Sequence, residues 1–165
     1  MKLIVGADHA GFELKQVVVD ALREWGYEVE DVGTHSAEPV DFPDITRRVC
    51  DPVRNGEFAR GMLVCGTGIG ASMAANKLPG IRAALAHDIY SAHQCVEHDD
   101  ANVLCLGAQI VGDRVALDLI RTYLTAELRP EEQFQRRIAK MTQLERDAAA
   151  ELNAPGAQSQ PGTSS

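Results

Sequence analysis

Short apolar runs alternate along this chain with segments whose apolar residues recur every three or four positions. The runs are typical of buried strands in a parallel sheet, and the recurring positions are typical of helices with one buried face. The predicted strands cover residues 3–5, 27–32, 62–65, 81–85 and 102–106. The predicted helices cover residues 11–25, 44–54, 69–76, 91–98, 111–124 and 129–152. This alternation predicts an α/β fold in which a five-stranded parallel sheet is covered by helices on both faces.

The length of 165 residues suits a single domain, since domains commonly hold roughly 100–200 residues. We expect one α/β domain over residues 1–152. Residues 153–165 consist mainly of Ala, Pro, Gly, Gln and Ser and contain no apolar anchor. We therefore expect this tail to be disordered.

The charge balance argues against several classes of partner. The 24 Asp and Glu outnumber the 16 Lys and Arg, which gives a net charge of -8. Such an acidic surface disfavours nonspecific binding to nucleic acid or to an anionic membrane. No apolar run approaches the ~20 residues that cross a bilayer, and Met1 leads directly into the first strand without a signal sequence. The four cysteines contain no CxxC pair, so we expect a reduced, cytoplasmic protein.

A glycine-rich turn, Cys-Gly-Thr-Gly-Ile-Gly at residues 65–70, follows the third predicted strand. Ligands bind at the carboxyl ends of parallel strands, where glycines allow close approach and helix starts offer N–H groups to an anion. The turn lacks the third glycine of a dinucleotide fingerprint and the lysine of a P-loop. Two interpretations stay open: a structural turn that buries the thiol of Cys65, and a ligand site with a reactive thiol.

Three further segments carry residues that suit catalysis or anion binding. Asp8 and His9 follow the first strand, residues 97–100 precede the fifth, and Arg136 and Arg137 lie on the last helix. A helix cap and solvated surface charges are the structural alternatives. A catalytic site needs an acid, a base and oxyanion donors together. We therefore expect Asp8, residues 65–70 and residues 97–100 to meet at one edge of the sheet.

The histidines do not predict a metal site. His87, His93 and His98 are close in sequence, but no two of them form an i,i+4 ligand pair, and the chain has no EF-hand or HExxH pattern. We expect neither a metal nor an organic cofactor.

Three blocks of sequence carry a resemblance to a known family. They are GADHAGFELK at residues 6–15, CGTGIGASMAANK at residues 65–77 and HDDANVLCLG at residues 98–107. Together they resemble type B ribose-5-phosphate isomerases, in one register over roughly residues 1–145. The wider family includes galactose-6-phosphate isomerase subunits and other sugar isomerases. The resemblance implies a three-layer Rossmann-like fold and a homodimer, or a dimer of dimers, whose C-terminal helix extends to the partner subunit.

The resemblance also implies a metal-independent aldose–ketose isomerisation through a cis-enediolate, in an active site at the subunit interface. Cys65 would move the proton between C1 and C2, and His98, with Asp8 nearby, would help to open the furanose ring. Thr67 and the loop amides would stabilise the enediolate oxygen, and His9 would contact the phosphate. By position, catalysis falls to Cys65, His98, Thr67 and Asp8, and substrate binding to His9, Gly66, Gly68, Ile69, Gly70, Asp99, Arg136, Arg137, Gln109 and Gln133.

Several positions depart from the family pattern. Gln109 and Gln133 stand where the family usually has phosphate-binding arginines, Asp99 where it has Asn, and Phe42 where it has Tyr. Arg137 matches the remaining family arginine, and residues 129–132 resemble the galactose-6-phosphate isomerase subunits instead. A glutamine can donate a hydrogen bond but brings no charge to a phosphate dianion.

The sequence thus predicts isomerisation of a small phosphorylated sugar, by default ribose 5-phosphate to ribulose 5-phosphate. One alternative is a relative that acts on a tetrose or hexose phosphate or on an unphosphorylated uronate-derived sugar. Another is a non-catalytic subunit that pairs with an active partner.

Overall fold

A computed structural model describes residues 1–154, so the predicted disordered tail, 153–165, lies almost wholly outside the described residues. The strands are β1 Lys2–Ala7, β2 Glu28–Asp31, β3 Arg60–Cys65, β4 Ala83–Leu85 and β5 Val103–Gly107. The helices are α1 Phe12–Glu24, α2 Phe42–Arg54, α3 Ile69–Ala75, α4 Ile89–Asp99, α5 Asp113–Thr125 and α6 Glu132–Asn153. A single 3-10 turn, His9–Gly11, leads into α1.

The strands form one parallel sheet in the order β2-β1-β3-β5-β4. This confirms the predicted α/β fold and the five-stranded parallel sheet, with the alternating second strand at an edge as its half-polar pattern indicates. β3 lies at the centre, between β1 and β5. The turns that follow these three strands are therefore neighbours at the carboxyl edge of the sheet.

Alternate residues of the strands face two separate apolar layers. Leu3 and Val5 belong to a core shared with α1, α4 and α5, whereas Ile4 belongs to a core shared with α2 and α3. The close fit on the second face excludes a side chain at Gly6, because an added Cβ would lie 2.7 Å from Val49 Cγ2. The chain thus has the three-layer, Rossmann-like architecture that the resemblance implies.

Most elements differ from their predicted bounds by one to three residues, and α6 begins at Glu132 instead of residue 129. For two of these boundaries the structure gives the reason. α2 begins at Phe42 instead of residue 44, because Pro43 occupies the first turn, where a missing N–H costs nothing. β4 begins at Ala83 instead of residue 81. The side chain of Asn102 accepts a hydrogen bond from Arg82 N–H, which leaves that N–H out of the strand ladder.

The last helix, α6, packs on α4 and carries the predicted apolar stripe only partly buried. Phe134 is buried, Ile138 and Met141 are half-buried, and Leu144 and Leu152 are exposed. Within one chain the stripe is therefore incompletely covered. Over residues 1–154, none of the helices combines the length and the apolar character that crossing a bilayer requires.

Candidate active site

The residues 65–70, called the thiol loop below, are held at the carboxyl edge by the turn that follows β5. Cys65 is the last residue of β3, and its carbonyl accepts a hydrogen bond from Ala108 N–H at 2.8 Å. The carbonyl of Gly66 accepts one from Gln109 N–H at 2.9 Å. The turn after β5 therefore fixes the first two residues of the thiol loop.

The thiol of Cys65 faces into the loop that follows it. The backbone N–H of Gly68 donates to its sulfur at 2.9 Å, a contact that stabilises negative charge on sulfur. Gly68 has a φ of 78°, and this left-handed conformation turns the loop back over the thiol. Thr67, at the tip of the loop, is exposed, and its Oγ1 accepts a weak hydrogen bond from Ile69 N–H at 3.4 Å.

Asp8 lies against the thiol loop from the side of β1. Its carboxylate Oδ1 accepts a hydrogen bond from Gly11 N–H at 3.0 Å, the helix cap that the sequence left as an alternative. An added Cβ at Gly11 would lie 2.3 Å from the Val64 carbonyl oxygen, so this turn touches the end of β3 directly. Asp8 is 8% exposed, and it therefore presents a largely buried carboxylate beside the thiol loop.

A cavity of about 640 Å³ opens next to this turn, between α1 and the start of α5. His9 and Gln109 both line it, together with the carboxylates of Glu13 and Asp113. The Nδ1 atom of His9 accepts a hydrogen bond from Val40 N–H at 3.3 Å. This contact leaves the proton of a neutral imidazole on Nε2 as a donor. The cavity wall thus offers neutral hydrogen-bond donors, from His9 and Gln109, and two acidic side chains, from Glu13 and Asp113.

A second group of predicted site residues, the histidine cluster, lies where α4 meets α6. The ring of His98 stacks on the ring of Phe134 with centroids 4.4 Å apart, and the Arg137 guanidinium lies 5.9 Å from the centroid of the Phe134 ring. The carboxylate of Glu97 lies 3.6 Å from His98 Nε2 and 2.8 Å from Arg129 Nε. Asp99, Gln133 and Arg136 are exposed at the same junction.

The histidine cluster lies at the amino ends of the strands, whereas the thiol loop lies at their carboxyl ends. The segment that contains His98 precedes β5, whereas Cys65 pairs with Gly107 at its far end. From Val103 to Gly107 the strand advances about 13 Å at roughly 3.3 Å per residue. The prediction that all candidate segments meet at one edge within the chain is therefore wrong for residues 97–100. The structure places the thiol loop and Asp8 together at the carboxyl edge, where His9 and Gln109 also lie.

The other thiols lie in apolar surroundings. Burial raises the pKa of Cys50 to about 12 and that of Cys95 to about 11. Burial also raises the pKa of Cys105 well above its ordinary value. These three thiols stay protonated at neutral pH. Within residues 1–154, no three His, Cys, Asp or Glu side chains form a group that could hold a metal ion.

Two contacts near the site were not expected. Fully buried Lys15 forms an ion pair with Asp31, which ties α1 to the end of β2. His87 accepts a hydrogen bond from Gly107 N–H at 2.9 Å. The position of His87 two residues beyond β4, at the carboxyl edge, is the sequence signal for the second contact. No sequence pattern indicates the ion pair between Lys15 and Asp31, because the spacing of residues does not show which side chain a buried lysine contacts.

Known proteins share both the sequence and the architecture of this chain. Residues 3–141 match the Ribose/Galactose Isomerase family. Ribose-5-phosphate isomerase B of Escherichia coli is 41% identical over 144 residues, which cover 87% of this chain and 96% of that protein. D-erythrulose-4-phosphate isomerase 2 of Mycolicibacterium smegmatis is 37% identical over 134 residues, covering 79% and 88%. The structure of ribose-5-phosphate isomerase B from Clostridium thermocellum superposes with a TM-score of 0.88 at 45% identity, covering 90% of this chain and 99% of that one. This chain belongs to the ribose/galactose isomerase family.

Proposed function

We propose that this protein interconverts an aldose and a ketose of a small phosphorylated sugar, with ribose 5-phosphate and ribulose 5-phosphate as the pair. The observation that carries the proposal is the thiol of Cys65 beneath a loop whose Gly68 N–H donates to the sulfur. Family membership supports the reaction class. Relatives named for ribose 5-phosphate and for D-erythrulose 4-phosphate support a phosphorylated substrate.

The proposed reaction moves one proton between neighbouring carbons. The thiolate of Cys65 takes the proton from C2 of the open-chain aldose, and the electron pair of that C–H bond forms the C1–C2 double bond of a cis-enediolate. The negative charge then rests on the oxygen at C1. The thiol returns the proton to C1 while the hydroxyl proton passes from O2 to O1, which leaves the ketose carbonyl at C2. The reaction is balanced without an oxidant or a reductant.

The thiol loop supplies the donors that this intermediate needs. Thr67 is exposed at the tip of this loop, and we assign the amides of Gly66, Ile69 and Gly70 in the same loop as further donors. Donors that are fixed before charge develops stabilise an oxyanion without reorganisation, and one such donor is worth about 10²–10³ in rate. The N–H of Gly68 donates to the sulfur of Cys65 and not to the intermediate, and it stabilises negative charge on the sulfur before the proton is transferred.

The proposal includes a symmetric homodimer in which each active site uses two chains. We assign the opening of the sugar ring to His98. Within one chain His98 and Cys65 lie at opposite ends of the strands, so His98 would act at the thiol loop of the partner subunit. Exposed apolar side chains border the thiol loop on α3, β4 and the start of α4, and α6 adds another. These side chains are Ile69, Met73, Leu85, Ile89, Tyr90 and Leu144. A two-fold axis would bury such a self-complementary surface and join the two half-sites.

The phosphate would lie in the cavity lined by His9 and Gln109 and would gain its positive charge from Arg137, with Arg136 beside it, on the partner's α6. Asp99 and Gln133 belong to the same half-site. The carboxylates of Glu13 and Asp113 on that cavity repel a dianion. This repulsion favours a second candidate, a family member whose substrate is an unphosphorylated sugar. Four free thiols suit the reducing cytoplasm, where we place the protein.

A substrate panel on the purified protein tests the proposal. NMR would follow the interconversion of ribose 5-phosphate, D-erythrulose 4-phosphate, a hexose 6-phosphate and the matching sugars without phosphate. We expect conversion of the phosphorylated sugars, with the highest kcat/KM for ribose 5-phosphate. Absence of any aldose–ketose conversion would reject the enzyme in favour of a non-catalytic subunit. A higher kcat/KM for another sugar would keep the reaction and replace the substrate.

A further inference from the structure

His87 makes a contact that the proposed chemistry does not use. It lies two residues beyond β4, and its Nε2 atom accepts a hydrogen bond from the backbone N–H of Gly107 at 2.9 Å. Gly107 ends β5 and pairs with Cys65 across the sheet. The imidazole therefore holds the residue that lies beside the catalytic thiol in the adjacent strand.

The need for this contact follows from where β4 ends. The last backbone bond between the two strands runs from Ala86 N–H to the Cys105 carbonyl at 3.3 Å. Beyond it the chain turns away toward Asp88, which caps α4 by accepting a hydrogen bond from Ser91 N–H at 2.8 Å. The buried N–H of Gly107 thus has no strand carbonyl to meet, and a buried donor without a partner is costly. The ring nitrogen of His87 takes the place of that carbonyl.

Gly107 in turn lies directly against the thiol loop. An added Cβ at Gly107 would lie 2.7 Å from both the carbonyl carbon and the carbonyl oxygen of Thr67. The next two residues donate to the loop itself, Ala108 to the Cys65 carbonyl and Gln109 to the Gly66 carbonyl. Three successive N–H groups therefore fasten this turn, and the first of them depends on His87.

We propose that His87 is a positioning residue for the thiol loop, which acts by holding Gly107 against Thr67. The proposal rests on the isomerase function proposed above. Accepting a hydrogen bond at Nε2 places the proton of the neutral ring on Nδ1. A side chain of similar size without an acceptor would free the Gly107 N–H and let the turn shift, so that Thr67 and the loop amides would no longer meet the developing charge. Substrate binding, which relies on other side chains, would change less.

Kinetics of two matched substitutions test the role. His87→Leu removes the acceptor, whereas His87→Gln keeps one within reach. We expect His87→Leu to lower kcat on the order of tenfold with KM changed less than about threefold, and His87→Gln to restore most of kcat. His35→Leu, at an exposed histidine, is the control and leaves both parameters unchanged. Equal kcat values for His87→Leu and the wild type, or equal losses for His87→Leu and His87→Gln, would overturn the proposal.

Two further measurements do not depend on turnover and separate this inference from the proposed function. The first, on the unmodified protein, is a scalar coupling between the Gly107 amide nitrogen and a ring nitrogen of His87, which only a direct hydrogen bond transmits. Its absence would overturn the proposal even if no substituted protein folded. The second is the amide exchange rate of Gly107, which we expect to rise about tenfold in His87→Leu while that of Ala108 rises less. If the wild type shows the coupling but no isomerase activity, the proposed isomerase function is rejected and the hydrogen bond between His87 and Gly107 stands. In that case the alkylation rate of Cys65 tests the positioning role, and a rate that is unchanged in His87→Leu would overturn it.

Discussion

The backbone N–H of Gly68 points at the sulfur of Cys65 from 2.9 Å, and the packing around Gly68 leaves no room for a side chain. An added Cβ would lie 2.5 Å from Leu85 Cδ1 and 3.0 Å from the Leu106 carbonyl carbon. The φ of 78° independently favours glycine there. The donor to the thiol is thus fixed by the neighbouring strands as well as by the loop. This rigidity is what a base next to a carbon acid requires.

Substitution of this glycine should harm stability and catalysis together. Gly68→Ala adds a left-handed alanine, at a cost of roughly 1–2 kcal/mol, and a clash with Leu85. We expect a loss of about 2–4 kcal/mol in the free energy of unfolding and a fall in kcat of at least tenfold. Gly26→Ala is the control, because Gly26 has a φ of 86° with no atom within 4 Å of the added Cβ. Urea unfolding and kcat would check both, and equal effects of the two substitutions would contradict this account of the loop.

The proposed sharing of each active site between two chains predicts complementation. Cys65→Ala and His98→Ala proteins should each be inactive, because each lacks one part of every site. When equal amounts are mixed and subunits exchange, half of the dimers hold one chain of each kind. Each of these dimers has one intact site of two, so activity should return to about one quarter of the wild-type value. Sedimentation would confirm the dimer at micromolar concentration. A mixture that stays inactive despite subunit exchange would place Cys65 and His98 in the same site of one chain.

Replacing the two glutamines of the proposed phosphate site with arginine should strengthen the binding of a phosphorylated sugar. Gln109→Arg with Gln133→Arg should strengthen binding of ribose 5-phosphate by about 1.5–3 kcal/mol for each charge-assisted bond that forms, seen as a lower KM. Gln143→Arg, exposed further along α6, adds charge away from the site and serves as the control. The measured quantity is kcat/KM for matched sugars with and without phosphate. If the wild type is already as efficient on ribose 5-phosphate as on any other sugar, the two glutamines do not determine the substrate.

The buried thiols predict a loss of stability in alkali. The pKa values of Cys50 and Cys95 rise from an ordinary 9.0 to about 12 and about 11 in the folded protein. Above that ordinary value the unfolded chain releases protons that the folded chain keeps. The free energy of unfolding should therefore fall as pH rises from about 9 toward about 11, by up to about 1.4 kcal/mol per pH unit for each thiol. Urea unfolding with a reductant would measure this slope, and Cys95→Ala should make it shallower. A slope that Cys95→Ala leaves unchanged would show that this thiol does not titrate as described.

Local patterns predicted most of the fold because each one is contained in a few residues. The apolar run that ends at Cys65, the glycines after it and the small-residue helix follow one another directly, so the thiol loop could be located from sequence. His98 was misplaced because its segment precedes a strand, and the rule for ligand sites applies only to segments that follow one. The ends of β4 and the role of His87 depend on hydrogen bonds from distant residues, Asn102 and Gly107, that no local pattern encodes.

The central claim, that Cys65 is the base, is tested most directly by isomerisation in heavy water. Wild-type protein and Cys65→Ala would each be incubated with ribose 5-phosphate in D₂O, and NMR would follow deuterium entering C1 of the ketose and C2 of the aldose. Cys95→Ala serves as the control for loss of a thiol elsewhere. We expect wild type and Cys95→Ala to exchange and isomerise alike, and Cys65→Ala to do both more slowly by about 10²–10⁴, with an unchanged fold by circular dichroism. Turnover by Cys65→Ala within about tenfold of the wild type would contradict the claim, because a reaction that has lost its base cannot proceed at that rate.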